Sequence, residues 1–208
     1  MNASTVARLS VAIMCGYFSS CSRYPSRVAA PKWDADAAAA AAINQYDSDG
    51  DGELNTPELE ASPPLKSALK DVDTNHDGKL TNEEIAASLQ RFGASRVGLI
   101  SPACLVLLNG KPLSGATVRF IPEQFLGELV ETAEGTTDES GVAIPSVPEG
   151  SLPHPRMKGI RLGFYRVEIS HQVAGRESLP SRYNTESQLG QFVPPECADT
   201  LQYRLQSR

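Results

Sequence analysis

The sequence contains few of the side chains on which most catalytic sites depend. There are three histidines, four cysteines and one tryptophan among 208 residues. None of the histidines, His76, His154 and His171, stands in a recognisable nucleophile or metalloprotease motif. Carboxylates outside one acidic segment are too scattered to suggest a glycosidase pair. We therefore expect a protein without enzymatic activity.

Several binding functions lack their usual signatures as well. No CxxC and no Cys/His spacing of a zinc site is present. No basic stripe with interleaved aromatic residues occurs, which argues against nucleic acid as a partner. With only 13 Phe, Tyr and Trp residues in all, several of them core candidates, no aromatic platform for a polysaccharide can be identified.

Long hydrophobic runs are also missing. The apolar run from Val11 to Phe18 is too short to cross a bilayer as a helix, and Arg8 is the only charged residue before it. Together with the small residues that precede Cys21, this run resembles a bacterial lipoprotein signal. The resemblance implies a signal peptide at residues 1–20, lipidation of Cys21 and a tether at residues 21–33. Ordinary cleavage of the signal and the absence of export remain alternatives.

Negative charge is concentrated in one part of the chain. The net charge is −6, but residues 34–84 contain 13 acidic and 3 basic residues, whereas the remainder contains 12 acidic and 16 basic residues. The acidic part includes two twelve-residue segments of similar pattern, DSDGDGELNTPE (47–58) and DTNHDGKLTNEE (73–84). We call them the first loop and the second loop.

Both loops match the calcium-binding loop of an EF-hand. Each has oxygen-bearing side chains at positions 1, 3 and 5, glycine at position 6 and a carboxylate at position 12. A solvated turn rich in Asp, Gly and Asn could explain one such match, but it is a poor explanation of two. We therefore predict two calcium sites with oxygen ligands. Their expected ligands are Asp47, Asp49, Asp51, the carbonyl of Glu53, Asn55 and Glu58, and then Asp73, Asn75, Asp77, the carbonyl of Lys79, Thr81 and Glu84.

The details of the loops predict how they behave. Four carboxylates in the first loop against three in the second suggest that the first binds calcium more tightly. Leu54 and Leu80, both at position 8, are expected to lie in short strands that pair with each other. The prolines at 63 and 64 keep the helices between the loops short. Short helices favour a structural role over that of a calcium sensor.

The chain divides into a helical part and a β part. An Ala-rich stretch from Asp34 predicts the helix that enters the first loop, although its alanines have little to bury. After the second loop, Ile85, Leu89 and Phe92 mark one helix face, and Gly93 is expected to end that helix. We assign residues 34–95 to an EF-hand pair. From residue 98 onward, short alternating runs with Gly and Pro between them predict at least six strands.

The β part resembles the carboxypeptidase-regulatory-like, prealbumin-type β-sandwich of bacterial secreted proteins, and most of all the small lipoproteins of planctomycetes that carry it. The segments NGKPLSGATVRFIPE, GTTDESGVA, GFYRVEIS and LPSRYNTESQL carry the resemblance, which covers residues 99–207. It implies a seven-stranded Greek key without known catalysis. Residues 145–162 would be an exposed insertion.

Cys104 and Cys197 both lie in this β part. In an exported protein a disulfide between them is reasonable, and two buried thiols are the alternative. The resemblance adds that the first and last strands of such a sandwich can be neighbours, which is compatible with the disulfide.

The fold expected from the sequence is thus an α+β multidomain protein, with an N-terminal α-helical EF-hand pair followed by an antiparallel Greek-key β-sandwich. Its expected function is that of a non-catalytic, calcium-binding lipoprotein on the periplasmic or outer face of the cell envelope. The β-sandwich would then be an adhesion or assembly module that meets an envelope protein or a polysaccharide. A calcium-responsive regulator and a surface module that binds polysaccharide or peptide are the alternatives.

Overall fold

The computed structural model describes residues 28–197 and 200–207. The predicted signal peptide, the candidate lipidation site Cys21 and the first part of the predicted tether lie outside these residues. Four helices make up residues 35–95, which we call the helical half. They are α1 (Ala35–Tyr46), α2 (Thr56–Leu59), α3 (Pro63–Val72) and α4 (Asn82–Ser95). None of the described helices is both long and apolar enough to cross a membrane.

Twelve strands occur in the described residues. Two of them, β1 (Glu53–Leu54) and β2 (Leu80–Thr81), belong to the helical half. The others form what we call the β half, residues 103–205. They are β3 (Ala103–Leu108), β4 (Lys111–Pro112), β5 (Thr117–Pro122), β6 (Ala133–Thr136), β7 (Val142–Ala143), β8 (Gly163–Ser170), β9 (Gln172–Val173), β10 (Arg176–Glu177), β11 (Leu189–Val193) and β12 (Thr200–Leu205).

Polar side chains cap the N-termini of all four described α-helices. The side chains of Asp34, Asn55, Ser62 and Thr81 each accept a backbone N–H of the first turn. The prediction that α4 ends at Gly93 is wrong. The helix continues to Ser95, and Arg96 closes it in the left-handed conformation at φ 58°.

The alanine-rich helix α1 buries more than its composition suggests. Ala38, Ala39 and Ala42 are buried, and α1 packs against α4 and against a 3₁₀ helix, Gln124–Leu129, of the β half. Small side chains on this face allow the two helix backbones to approach closely. The expectation that these alanines have little to bury is therefore wrong.

Two four-stranded groups build the β half. One sheet has the order β11-β8-β5-β6, and all its pairs are antiparallel. The second has the order β12-β3-β4, and β7 also pairs with β3. Within it β12 runs parallel to β3, with Leu201 opposite Cys104. The structure thus confirms an α+β protein with several antiparallel sheets, and it adds one parallel pair that the sequence did not indicate.

The predicted insertion at residues 145–162 is exposed only in its middle. Val147, Ile160 and Leu162 are buried, and Ile160 forms a bridge with Ile100. The expectation of an exposed loop therefore holds for the segment around residues 149–156, while its two ends contribute to the core.

A continuous core joins the two halves. Helix α3 packs on β11 and β8, and Phe92 of α4 lies 6.1 Å and 5.6 Å from the rings of Phe164 and Phe192. A Cβ atom placed on Gly190 of β11 would lie only 1.9 Å from the carbonyl oxygen of Pro63. Only glycine permits this approach, so α3 and the edge of the sheet are in backbone contact.

Candidate metal centre

The two loops lie side by side at one end of the helical half. α1 ends at Tyr46, directly before the first loop, and α3 ends at Val72, directly before the second. β1 and β2 pair antiparallel, with Leu54 opposite Leu80. Both leucine side chains are fully buried. The predicted pairing of the two position-8 residues is therefore observed.

Hydrogen bonds shape the first loop around its carboxylates. The Asp47 carboxylate accepts the backbone N–H groups of Gly50 and Gly52 at 2.6 Å and 2.9 Å. The carboxylate of Asp49 accepts the N–H of Asp51 and the side-chain amide of Asn55, each at 3.1 Å. These bonds turn the chain so that its ligand side chains converge.

Glu58, at position 12, closes this loop on its other side. Its Oε1 accepts the N–H of Ser48 at 2.7 Å and the hydroxyl of Ser48 at 3.0 Å, while its Oε2 accepts the N–H of Asn55 at 2.9 Å. Glu58 therefore also completes a capping box at the start of α2. Sequence reasoning missed the role of Ser48, although a hydroxyl residue at position 2 of both loops was a signal for it.

The second loop repeats these backbone hydrogen bonds to the position-1 and position-12 carboxylates. Asp73 accepts the N–H groups of His76 and Gly78 at 2.6 Å and 2.9 Å. Glu84 accepts the N–H of Thr74 at 2.8 Å and that of Thr81 at 3.0 Å. Independent segments with the same network indicate a shared structural motif rather than two solvated turns.

Left-handed backbone geometry also recurs at equivalent positions. Position 6 has φ 86° at Gly52 and 82° at Gly78, and position 4 has φ 77° at Gly50 and 60° at His76. A residue other than glycine is strained at such angles. His76 is the one non-glycine residue among these four, and it adopts the strained angle at an exposed position.

The converging side chains fit a calcium ion. Ligand oxygens of Asp47, Asp49 and Glu58 all lie within 4.8 Å of one another. Ligands at 2.3–2.6 Å from one Ca²⁺ ion can be at most about 5 Å apart, so one ion can contact all three. Among the described residues, this is the only group of at least three His, Cys, Asp or Glu side chains whose ligand atoms all lie this close together. In the second loop Asn75 replaces one carboxylate and donates to Asp77 at 2.8 Å.

Comparison with known proteins identifies the motif. A family model described as EF hand matches residues 39–61 and 65–89. The two matched segments are similar to EF-hands, and each contains one of the two loops. This match indicates calcium as the ligand of the pair, and it covers only the helical half. Neither a curated protein nor a solved structure matches the chain.

The two position-12 carboxylates are held in their charged form. Backbone N–H groups of Asn55 and Ser48 lower the pKa of Glu58 below its usual value. Burial alone would raise the pKa of Glu84, but hydrogen bonds from Thr81 and Thr74 outweigh it and lower that pKa. Both glutamates are therefore ionised at neutral pH, as calcium binding requires.

Lys79 connects the EF-hands through its side chain. Its Nζ lies 2.6 Å from Oε2 of Glu53 and 3.6 Å from Oδ2 of Asp51, an expected ligand of the first loop. Hydrogen bonding to Glu53 raises the pKa of Lys79, so the amine carries a full charge. The motif predicts only that the backbone carbonyl of Lys79 binds calcium in the second loop. It gives no signal for the contact between the Lys79 side chain and the first loop.

Glu123 connects the EF-hand pair to the β half. This buried carboxylate follows β5, accepts the hydroxyl of Tyr46 at 2.7 Å and accepts that of Ser62 at 3.2 Å. Burial and this hydrogen bond raise the pKa of Tyr46 to about 12. Tyr46 directly precedes the first loop and Ser62 caps α3, so one side chain holds both helices against the β half.

The two cysteines of the β half lie close to each other. Cys104 is buried on β3, and Cys197 lies half-buried between β11 and β12. Burial raises the pKa of Cys104 to about 12, and the nearby Cys197 adds to this shift. Both are thiols in this structure, and their disulfide stays a prediction. The first and last strands of the β half are neighbours, as the resemblance implied.

Proposed function

We propose that this protein is a non-catalytic, calcium-binding lipoprotein of the cell envelope, in which the β half is an adhesion or assembly module. One observation carries the calcium part of the proposal. Two loops with the same hydrogen-bond network lie in the segments that match the EF-hand family. Each loop would hold one ion, with the ligands named above.

The packing of the EF-hand pair supports a structural role for calcium. Leu65, Leu89 and Phe92 are buried, and they belong to helices that pack on one another or on the β half. A sensor needs an apolar groove that calcium can open to solvent. Here the β half already covers that surface, so calcium would order the junction rather than expose a new face.

Calorimetry of calcium binding tests the first part. We expect two binding events with Kd values of about 10⁻⁴–10⁻³ M, the range of extracellular modules, with the tighter one in the first loop. No heat of binding at several millimolar calcium would refute the proposal. A single event would refute the claim of two sites.

The lipid anchor is tested separately by metabolic labelling with a fatty acid in a bacterial host. Label is expected on the full chain and absent from the Cys21→Ser variant. A mature protein that starts after residue 20 without label would support ordinary cleavage. A protein that stays in the cytoplasm and keeps residues 1–20 would refute export.

The Greek-key sandwich is the finer part of the proposal. Two facing groups of strands and neighbouring first and last strands support the resemblance to the carboxypeptidase-regulatory-like domain. A pull-down from envelope fractions, with and without calcium, tests the adhesion or assembly role. Recovery of the same specific partner from independent preparations is expected. Its absence under both conditions would count against this role.

A calcium-responsive regulator remains the second candidate, and the Tyr46–Glu123 hydrogen bond favours it. This contact could transmit a change in the first loop to the β half. A large, calcium-dependent rise in the fluorescence of an apolar dye is expected of a regulator. An unchanged signal supports the structural role.

A further inference from the structure

The helical half has a groove at the end opposite its calcium loops. It lies between residues 28–35 and the C-terminal part of α4, and its volume is about 660 Å³. Val28, Pro31, Trp33 and Leu89 contribute apolar surface to it. Among the residues that the structure describes, the only charged ones that line it are Lys32 and Arg96, and both are exposed.

The path of the chain fixes this groove relative to Cys21. Val28 is buried, and a Cβ atom placed on Gly98 would lie 2.2 Å from the Val28 carbonyl oxygen. The first described residue therefore lies beside the groove. Six residues lie between Cys21 and Val28, and the seven steps from one Cα atom to the next can span at most about 25 Å. An acyl chain on Cys21 would keep the groove near the bilayer.

Charge is distributed unequally along the helical half. α1 and α4 pack together, and each joins the groove at one end to a calcium loop at the other. Their 12 and 14 residues correspond to about 18–21 Å. The ligand carboxylates thus lie away from the groove. Asp34 and Asp36 are nearer in sequence, but neither lines the groove, and Asp34 caps α1 through the N–H of Ala37.

Trp33 gives this end the character of a membrane-interface site. Its ring packs against Phe92 at 5.9 Å, while the indole N–H is buried without a hydrogen-bond partner. Tryptophan with neighbouring Lys and Arg is the combination found at the level of lipid headgroups. Arg161 adds a third cation, since its guanidinium contacts the carbonyl oxygen of Ala29 at 3.4 Å.

We propose that this groove docks on an anionic phospholipid surface, with Lys32 and Arg96 on headgroup phosphates and Trp33 at the acyl boundary. This inference rests on the proposed lipid anchor for its orientation. Docking would hold the EF-hand loops about 20 Å from the bilayer, on the side that faces away from it.

Trp33 is the only tryptophan of the chain, so its fluorescence reports on the groove alone. The experiment uses the full chain with Cys21→Ser, which removes lipidation, and vesicles with or without phosphatidylglycerol. Brominated acyl chains in the vesicles quench a tryptophan at the acyl boundary. We expect quenching with phosphatidylglycerol vesicles and little with neutral ones.

Charge reversal supplies the decisive comparison. Lys32→Glu with Arg96→Glu should weaken vesicle binding, measured by this quenching, by at least about 25-fold, because each cation contributes roughly fivefold. Lys66→Glu with Lys70→Glu, on exposed α3 positions, makes the same charge change elsewhere and should leave quenching unchanged. No quenching, equal quenching by neutral vesicles, or quenching that survives the groove reversal would each overturn the proposal.

Failure of docking and failure of the proposed function are distinguishable. The groove variants should keep both calcium-binding events, since neither residue touches a loop. Fatty-acid labelling without Trp33 quenching would support the lipid anchor and refute the docking surface. Trp33 quenching without fatty-acid labelling would support the docking surface and refute the lipid anchor.

Discussion

At the scale of single residues, Glu58 and Glu84 each serve two functions. Each carboxylate caps a helix and fixes position 2 of its own loop before any ion is considered. The loops are therefore largely pre-formed. A pre-formed site loses less conformational entropy when it binds an ion, which raises its affinity.

Replacing these glutamates one at a time should remove the two calcium sites separately. Glu58→Gln removes a charged oxygen ligand, so calorimetry should lose the tighter event and keep the weaker. Glu84→Gln should lose the weaker event and keep the tighter. We expect the affected Kd to rise at least about 10-fold, which corresponds to roughly 1.4 kcal/mol.

The chain offers matched controls for both substitutions. Glu60→Gln and Glu83→Gln remove the same charge from exposed residues within two positions of each ligand. They should leave both events nearly unchanged. Equal losses in ligand and control variants would show that overall charge, and not coordination, determines binding.

Lys79 should weaken calcium binding in the first loop. Its ammonium group lies 3.6 Å from the Asp51 carboxylate and competes with the ion for negative charge. Lys79→Gln is therefore expected to lower the Kd of the first loop several-fold and to leave that of the second loop unchanged. Lys66→Gln, which breaks the exposed pair with Glu60, is the control. A higher Kd in Lys79→Gln would contradict this account.

At the scale of elements, local signals predicted the helical half well. Helix propensity and the loop motif act over short stretches of sequence, so α1 and both loops lie where the sequence predicts them. The end of α4 was missed because Arg96 adopts the left-handed conformation that usually marks glycine. The sequence gives no signal for β11, because Leu189–Val193 has no clear alternation of apolar and polar residues.

The junction at Glu123 should contribute measurably to stability. Glu123→Ala leaves the hydroxyls of half-buried Tyr46 and buried Ser62 without their acceptor, which should cost about 2–4 kcal/mol in the free energy of unfolding. Denaturant unfolding of Glu123→Ala, Tyr46→Phe and the double variant measures the coupling. We expect a coupling energy of about 1–3 kcal/mol. Additive effects would show that this hydrogen bond does not join the halves.

The β9–β10 hairpin should weaken in acid. Burial would raise the pKa of Glu177, but hydrogen bonds from Ser170, Leu179, His171 and Ser178 lower it. A carboxylate whose folded pKa lies below its unfolded value stabilises the protein above the unfolded pKa. That stabilisation is lost as the pH falls through the folded pKa.

Glu177→Gln should therefore destabilise the protein at pH 7 by about 1 kcal/mol or less, since the residue is exposed. The difference from the unmodified chain should shrink as the pH falls below about 4. Unfolding curves at several pH values check this, with the exposed Glu139→Gln as the control. A difference that does not change with pH would point to lost packing instead.

At the scale of the whole molecule, the shared core makes calcium a stabiliser of both halves. A ligand present at 10–100 times its Kd adds about 1.4–2.7 kcal/mol per site to the free energy of unfolding. We expect far-ultraviolet circular dichroism and Trp33 fluorescence to report one transition, shifted upward by calcium. If the β-sheet transition seen by circular dichroism did not shift with calcium, the two halves would unfold independently.

The packing of the helical half against the β half could not be predicted from the sequence. Phe92, Phe164 and Phe192 are apolar residues in predicted elements, and nothing in their local pattern identifies their partners. Contacts over about 70–100 residues depend on how the finished elements fit together. Sequence patterns therefore indicated two parts, and the structure shows how closely they pack.

The parallel pairing of β3 with β12 also constrains the order in which the protein can fold. Residue Cys104 cannot gain its neighbour Leu201 until 97 more residues have been made. Until then one edge of β3 lacks its strand partner, and contacts this distant in sequence form slowly. During synthesis the helical half can fold first, whereas the sheet that contains β3 and β12 is completed last. A chain that crosses a membrane before β12 emerges would do so without a finished sheet, and it would first meet abundant calcium on the far side.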